Sequence, residues 1–346
     1  MATSGIYIYG IVPNFYGAEH FRSLEKAGVS AIPLQNISAI VSNGEMESMA
    51  VSNGESTAKM LELYHNTIEQ VIALGFYMIL PMKPGTYVNT RQEVIAILAK
   101  GYDLFISSFN QIENMTEVDL TVTWSNFREL LKDLASHPEI VELRDSIIKK
   151  NRCFSQSDHV KTGMLVREKL NEKNKQIELK ILNVLTSFST NLKLHEVLND
   201  QIISNAAFLI KRNLKDKFIQ MIGQFNEEYC GMLNFKLTGP LPCYSFYTIE
   251  VKELSPEKIA CAKRELGLNE EPLEPVVKRA YLNYARLFHP DSHSDNGDEE
   301  RFKRIRMAYH TLLEYSMAVK QSSEIEPATL INEKNINKMF LVKVKD

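Results

Sequence analysis

The spacing of apolar residues changes near residue 253, and this change constrains the fold more than any other feature of the chain. Before it, short runs rich in β-branched and aromatic residues alternate with longer segments in which apolar residues recur every three or four positions. After it, the helical spacing continues almost alone until a short apolar tail. The first pattern is typical of an α+β fold and the second of a small all-α unit.

The residues before 253 predict strands and helices in mixed order. The first set comprises strands at 6–12, 31–34, 37–42, 76–80 and 118–124 and helices at 57–73, 91–109 and from 126. A long polar helix at 160–185 carries only a narrow apolar stripe, so we expect it to bridge two domains. The second set comprises a segment at 204–210, a helix at 214–227 and strands at 232–237 and 244–251.

A chain of 346 residues accommodates two or three compact units. The predicted fold class is α+β, with two ferredoxin-like α+β domains linked by a long helix and a small all-α helical hairpin at the C-terminus. The predicted segments are 1–125, an N-terminal α+β domain; 126–190, a helical linker region; 191–252, a second α+β domain completed by neighbouring helices; 255–319, the helical hairpin; and 320–346, a tail. The apolar end of that tail, 339–344, is expected to pair within the chain, because an unpaired apolar strand promotes aggregation. A partner-binding tail is the alternative.

Charge and cysteine content exclude several classes of function. The net charge is -3, so the overall charge of the chain does not favour binding to nucleic acid or to an anionic membrane. The four cysteines form no C-x-x-C pair, and no apolar run reaches the roughly 20 residues that cross a bilayer. We therefore expect a soluble cytoplasmic protein with reduced thiols.

Motifs for catalysis, cofactors or metals do not stand out in the sequence. The chain lacks the glycine-rich phosphate loops and the G-x-S-x-G elbow. Asp291, His293 and Asp295 resemble the start of a calcium loop, but Phe302 occupies the twelfth position, where a bidentate carboxylate is needed. We expect no enzymatic activity, no cofactor and no metal.

The C-terminal helices carry a His-Pro-Asp tripeptide between two regularly spaced helical segments. Ser255 and Pro256 begin a first helix and Gly267 ends it, a second helix is predicted at 273–288, and a third begins near residue 298. The segment 255–319 resembles a J-domain, the module by which cochaperones engage Hsp70. The stretches that carry the resemblance are Leu266-Gly267-Leu268, Val277-Lys278-Arg279-Ala280-Tyr281, Tyr284-Ala285-Arg286-Leu287-Phe288, His289-Pro290-Asp291 and Ala308-Tyr309.

The J-domain resemblance implies docking on Hsp70 and acceleration of its ATP hydrolysis. It assigns the signal to the tripeptide and charge complementarity to three cations of the second helix: His289, Pro290 and Asp291, with Lys278, Arg279 and Arg286. This helix departs from the family pattern, because uncharged Asn283, Tyr284 and Leu287 stand at positions that are often basic. The alternative is a helical hairpin that only docks or packs.

Residues 1–252 resemble a second family. The chain opens with Tyr7-Ile8-Tyr9-Gly10-Ile11 and later contains Leu237-Thr238-Gly239-Pro240-Leu241-Pro242-Cys243-Tyr244-Ser245-Phe246. Both stretches are similar to motifs of the gas vesicle protein F/L family, whose members are assembly factors rather than catalysts. We expect the second motif to be structural: its prolines predict a turn between two strands, with its Tyr and Phe on one face of the following strand. Its candidate residues are Gly239, Pro240, Pro242, Tyr244, Ser245 and Phe246.

Together the two resemblances imply an accessory protein of gas vesicle formation that is associated with gas vesicles. The implied partners are vesicle structural or accessory proteins, and Hsp70 through the J-domain. Two alternatives stay open: a general J-domain cochaperone with another client, and a structural vesicle component whose helical segment only packs or docks. An exposed strand edge that pairs with an incoming strand is one hypothesis for client binding.

Overall fold

The computed structural model describes residues 4–45, 54–149, 155–288, 299–323 and 338–345. They divide into two units, the first made of Met1–Gln111 with Tyr247–Asp346 and the second of Ile112–Phe246. The mixed α+β class is confirmed, with antiparallel sheets before residue 249 and three successive helices near the C-terminus. Among the described residues, no helix is both long and apolar enough to cross a membrane.

The first unit begins with an antiparallel sheet. Its elements are β1 (Ser4–Pro13), α1 (Ala18–Ser23), β2 (Ser30–Leu34), β3 (Ile37–Glu45), α2 (Gly54–Ala73), β4 (Leu80–Pro81), β5 (Tyr87–Val88), α3 (Arg91–Lys100) and α4 (Tyr102–Ile112). The strand order is β2-β3-β1-β4, and β5 also pairs with β1. The helix predicted at 91–109 is divided at Gly101, where a Cβ would lie 2.4 Å from the ring of Phe105. Of the strand predicted at 76–80, only Leu80 joins the sheet.

The second unit has the ferredoxin-like succession of elements. They are β6 (Met115–Trp124), α5 (Phe127–Ala135), α6 (Pro138–Ile148), α7 (Gln156–Leu185), β7 (Ser189–Leu194), β8 (Ile202–Lys211), α8 (Lys215–Glu228), β9 (Leu233–Leu241) and α9 (Tyr244–Tyr247). The strands follow the order β7-β8-β6-β9 and all pair antiparallel. This is the β-α-β-β-α-β arrangement predicted for the second domain.

The predicted boundary between residues 125 and 126 is wrong. It assigns β6 to the first domain, whereas β6 is the strand between β8 and β9 in the second sheet. The reason is that both strands that pair with β6 lie much later in the chain. Local sequence patterns do not indicate pairing between such distant strands.

The predicted linker at 126–190 also belongs to the second unit. Leu170, Ile177 and Ile181 of α7 are buried in the same hydrophobic cluster as the core-facing residues of the sheet, so α7 covers the sheet instead of bridging two domains. Only the first turns of α7 are weakly packed, with Met164 68% exposed. The apolar stripe of α7 is narrow because only the second half of the helix is packed, and only one side of that half is buried.

The C-terminal helices are inserted between two paired strands of the first unit. The elements are β10 (Ile249–Leu254), α10 (Pro256–Glu265), α11 (Glu274–Phe288), α12 (Glu299–Ser323) and β11 (Met339–Val344). β10 pairs antiparallel with β11 over six residue pairs. The apolar tail therefore pairs within the chain, as its sequence predicts, and the two strands that bracket the helices form one small sheet.

This two-stranded sheet contacts both the helices and the first sheet. Leu254, Leu341 and Ala318 of α12 form a small buried cluster. The side-chain amide of Gln321 donates to the C=O of Val342 at 2.6 Å and accepts from its N–H at 3.3 Å, so it occupies the outer edge of β11. On the other side, the C=O of Ile249 accepts the N–H of Lys83 at 2.7 Å, next to β4. β10 is thus joined to the first sheet, and β11 is joined to β10 and to α12.

Candidate functional site

Three helices form the J-domain-like part of the chain around a core of their own. Ser255 caps α10, because its side chain accepts the N–H of Lys258, and Pro256 stands at the first helical position. Gly267 follows the helix at φ +60, the left-handed geometry typical of a C-terminal glycine. The buried residues of this core are Ala262, Leu266, Val277, Ile305, Ala308 and Leu312. Both predicted end signals of the first helix are therefore used as expected.

The predicted tripeptide falls outside the described residues. His289, Pro290 and Asp291 directly follow α11, which ends at Phe288, and precede α12, which begins at Glu299. Their role in an Hsp70 contact stays a prediction.

Three cations of α11 are described, and all are exposed. Lys278 forms an ion pair with Glu274 at 2.5 Å, one helical turn earlier, and this hydrogen bond raises the pKa of Lys278. Arg279 lies 3.7 Å from the carboxylate of Glu270. Arg286 forms no ion pair with another described residue. Two of the three predicted docking cations are therefore partly neutralised by carboxylates of the same chain.

The structure changes the list of residues that a docking partner would meet. Tyr284 packs against the buried core of the three helices, so it is not available as an outward position. Leu282, which is absent from the predicted docking residues, is 54% exposed on the outer side of α11. The signal was present in the sequence, because Leu282 lies four residues from both Lys278 and Arg286.

The second candidate site is the motif from Leu237 to Phe246. The predicted turn at Gly239–Pro242 is wrong, because β9 continues through Gly239 and Pro240 to Leu241, which pairs with Glu117 of β6. β9 is an edge strand, and an edge strand tolerates a proline that cannot donate a hydrogen bond. Gly239 has φ +141, and a Cβ there would lie 2.9 Å from the C=O of Glu117, so the close approach of the two backbones requires glycine.

The strand predicted at 244–251 is also wrong. Tyr244 to Tyr247 form the helical turn α9, and β10 begins only at Ile249. Tyr244 and Phe246 therefore do not alternate along a strand. A buried hydrogen-bond acceptor explains why the chain turns here.

That acceptor is Glu117, a glutamate on β6 that is only 1% exposed. The N–H of Ser245 donates to its Oε2 and the Ser245 hydroxyl to its Oε1, both at 2.8 Å. His195, just after β7, places its Nε2 3.2 Å from the same hydroxyl. Ser245 thus ties α9 to the strands of the second sheet.

The electrostatics of this cluster favour a proton on Glu117. Burial, reinforced by the neighbouring Asp119 carboxyl, raises the pKa of Glu117 to about 8 even though Ser245 donates two hydrogen bonds to it. Burial also raises the pKa of Asp119, against the opposing effect of His195. Cys243 nearby is buried, and burial raises its thiol pKa to about 12. The cluster therefore holds a neutral carboxyl and a neutral thiol near pH 7.

The Ser245–His195 pair does not have the geometry of a nucleophile and its base. In a catalytic triad the carboxylate orients the imidazole, whereas Glu117 accepts hydrogen bonds from Ser245 itself. The Oδ1 atom of Asp119 is buried and has no hydrogen-bond partner. No group of three His, Cys, Asp or Glu side chains suited to a metal ion occurs in the part of the chain that the structure describes. The arrangement supports an anchor for α9.

Comparison with known proteins decides the family. The model of the gas vesicle synthesis protein GvpL/GvpF family matches residues 5–248. The chain belongs to the GvpL/GvpF family. Similar relatives include gas vesicle protein F of Microcystis aeruginosa (strain PCC 7806), 22% identical over 70% of this chain and 98% of that protein, and gas vesicle protein F of Dolichospermum flosaquae, 21% identical over 71% and 98%. Neither motif of the family is an isolated match, because the similarity spans both units.

Solved structures support the same fold for the GvpL/GvpF region. The crystal structure of GvpF from Anabaena sp. PCC7120 covers 70% of this chain and 97% of its own, with a TM-score of 0.58 and 20% identity. That of GvpF from Microcystis aeruginosa has a TM-score of 0.55, also at 20% identity.

A second family model, the DnaJ domain, matches residues 264–317. Chaperone protein DnaJ 1 of Aquifex aeolicus is 39% identical over 49 residues, and DnaJ of Limosilactobacillus reuteri (strain DSM 20016) is 45% identical over 47 residues. The chain spans only 14% and 12% of the length of these two relatives. This GvpL/GvpF protein thus also carries a DnaJ domain, and neither of its two families is named for a catalyst.

Proposed function

We propose that this protein is an accessory factor of gas vesicle formation that binds vesicle shell or accessory proteins and recruits Hsp70 to assist their assembly. The observation that carries the proposal is the presence of a GvpL/GvpF region and a DnaJ domain in one chain. The way they are joined supports it, because α10–α12 are fixed between β10 and β11 and do not hang from a free end. The protein would act where vesicles assemble.

The physical reason for such a combination is the chemistry of the proposed client. An apolar shell subunit is prone to aggregate before it is assembled, and unpaired strand edges increase that hazard. A factor that holds the subunit and brings a chaperone to it reduces the time for which the apolar surface is exposed. No catalytic step is needed for this role.

An edge of the second sheet is the proposed client contact. β7 and β9 are the terminal strands of that sheet among the described residues. β9 carries Pro240, which cannot donate a hydrogen bond to an added strand, whereas β7 (Ser189–Leu194) contains no proline. β7 also ends in exposed Leu194, with Val197 and Leu198 exposed just beyond it. These features favour addition of an apolar client strand along β7.

Hsp70 recruitment is tested by ATPase stimulation with the full-length protein. We expect the wild type to accelerate ATP hydrolysis by Hsp70 of the host cell and His289→Gln to abolish the effect, because the J-domain signal is assigned to the tripeptide. His310→Gln, at an exposed histidine of α12, is the matched control and should retain stimulation.

The outcomes of the ATPase assay distinguish Hsp70 recruitment from a helical segment that only packs. A wild type that gives no stimulation above background contradicts Hsp70 recruitment and leaves a helical segment that only packs. Loss of activity in both variants would instead indicate a general effect on the fold. Complementation of a deletion strain then checks the vesicle role: the wild type should restore vesicles, and His289→Gln should restore fewer.

A further inference from the structure

The outer edge of β11 carries main-chain groups that pair with no other described strand. In an antiparallel pair, alternate residues direct their N–H and C=O groups to the partner strand and to the opposite side. Val342 directs its C=O and N–H outward, to the side-chain amide of Gln321 on α12. By the same alternation, Phe340 and Val344 direct theirs to this edge, where neither forms a hydrogen bond with another described residue.

The hydrogen bonds of β10 agree with this alternation. Val344 lies opposite Ile249, and the C=O of Ile249 accepts the N–H of Lys83 on the far side of β10, so the two opposed residues do not exchange hydrogen bonds. The next residue, Lys345, donates its N–H to the C=O of Thr248 at 2.7 Å. The outward direction of every second residue of β11 is therefore fixed by bonds on both sides of the small sheet.

Gln321 takes the place of a residue on an added strand. Its side chain both donates to and accepts from Val342, as the main chain of a neighbouring strand would. It lies near the end of α12, which stops at Ser323, whereas Ala318 one turn earlier is fully buried. Helix ends open at a lower cost in free energy than helix centres do. The last turn of α12 can therefore leave the edge while the packing of Ala318 stays intact.

The side chains beside this edge define the chemistry of a strand that would fit it. Phe340, Leu341 and Val342 are each at most 2% exposed, and consecutive residues of a strand point to opposite faces. An added strand would thus have apolar neighbours on both of its faces, which favours a continuous apolar run. Lys345 lies just beyond the strand, is exposed and forms no ion pair with another described residue, so a carboxylate at one end of the run would complement it.

We propose that the outer edge of β11 accepts an extended apolar segment of the client, with an acidic residue near Lys345, and that Gln321 covers the edge until this segment displaces it. The inference rests on the proposed client binding and adds a second strand-accepting edge to the one along β7. Its main-chain hydrogen bonds would supply affinity and the apolar neighbours selectivity. A segment bound here would lie beside α12, one of the helices proposed to engage Hsp70.

The first test measures binding of a synthetic peptide to the full chain by fluorescence anisotropy. The labelled peptide consists of one Glu followed by five Val, Ile and Thr residues. We expect Gln321→Ala to bind it about tenfold more tightly than the wild type does, the value for one to two hydrogen bonds of ordinary net strength. Gln224→Ala, at an exposed glutamine of α8, is the matched control and should bind as the wild type does.

Two further changes distinguish strand pairing from adhesion of apolar side chains. Val342→Pro removes an outward N–H of β11, and edge strands tolerate proline, so adding it to Gln321→Ala should return the affinity to the wild-type value. A peptide that is N-methylated at alternate amides cannot pair as a strand and should gain no affinity from Gln321→Ala. Lys345→Glu, which leaves the edge itself unchanged, should weaken binding by about threefold through repulsion of the acidic end.

The outcomes separate this inference from the proposed function. If Gln321→Ala binds the peptide no more tightly than the wild type, or if the N-methylated peptide gains equally, the β11 edge is not a strand-accepting site. A dimer of Gln321→Ala in sedimentation velocity that the peptide does not dissociate would make a second copy the occupant and would also overturn the inference. The accessory role is judged apart from these results, by restoration of vesicles in the deletion strain: a wild type that restores none contradicts the proposed function, whatever the peptide shows.

Discussion

Replacing Glu117 by Gln should make the second unit more stable at alkaline pH. The glutamate is buried on the central strand β6 and its pKa is raised from 4.5 to about 8. In the unfolded chain it ionises near its ordinary value, so between these pH values the folded state holds a proton that the unfolded state has lost. The contribution of Glu117 to the stability of the fold is therefore greatest below about pH 4.5, and it is lost as the pH rises through about 8.

The size of the change in unfolding free energy follows from the pKa shift of Glu117. Each pKa unit corresponds to about 1.4 kcal/mol. The shift from 4.5 to about 8 therefore corresponds to about 5 kcal/mol of unfolding free energy. Glutamine is neutral at every pH, as the protonated glutamate is, and its oxygen can accept the N–H of Ser245. Its amide nitrogen replaces the oxygen that accepts from the Ser245 hydroxyl, so that hydroxyl changes from donor to acceptor in the variant. The variant should lose this part of the pH dependence and keep the anchor of α9.

The assay is urea unfolding followed by the fluorescence of Trp124, the single tryptophan of the chain. Its indole N–H donates to Asn174 at 2.8 Å and its side chain lies in the core of the second unit, so it reports on this unit. The difference in unfolding free energy between variant and wild type should grow by several kcal/mol, about 5 at most, from about pH 5 to about pH 9. Glu196→Gln, at an exposed glutamate of the same unit, serves as the control. Parallel pH profiles of wild type and Glu117→Gln would refute a buried protonated carboxyl.

Two further variants test the contacts that hold the C-terminal helices. Leu341→Ala removes a buried side chain from the cluster with Leu254 and Ala318, and we expect a loss of about 2–4 kcal/mol in the first unit, measured by calorimetry; an unchanged melting temperature would contradict this packing. Gly267→Ala should cost about 1 kcal/mol or more, because the residue has φ +60 and a Cβ would lie 2.9 Å from the Tyr284 hydroxyl. A variant as stable as the wild type in thermal unfolding would contradict the second expectation.

Local signals predicted most of the elements. The N-cap Ser255, the glycine after α10 and the alternating residues of β1 and β3 act over a few positions, so they are visible in the sequence. The family motifs identified both parts of the chain for the same reason, since each is a contiguous stretch.

Contacts between positions that are distant in the chain cannot be predicted from local sequence patterns. Ser245 and Glu117 are 128 positions apart, so the motif looked like a turn when its serine is in fact an anchor on another strand. Local sequence patterns place β6 in the first domain, because the strands that pair with it, β8 and β9, come much later in the chain. On α11, the helical spacing alone did not distinguish Tyr284, which packs inward, from Leu282, which faces out.

The insertion of three helices between β10 and β11 has a consequence for synthesis of the chain. Eighty-four residues lie between the end of β10 at Leu254 and the start of β11 at Met339, the strand with which it pairs. At about 5–20 residues per second, the ribosome takes roughly 4–17 s to supply that partner. During this interval the hydrogen-bonding edge of β10 that β11 later occupies is open to strands of other nascent proteins. Closure of the small sheet therefore marks the moment at which the new protein stops being a target for aggregation at this edge.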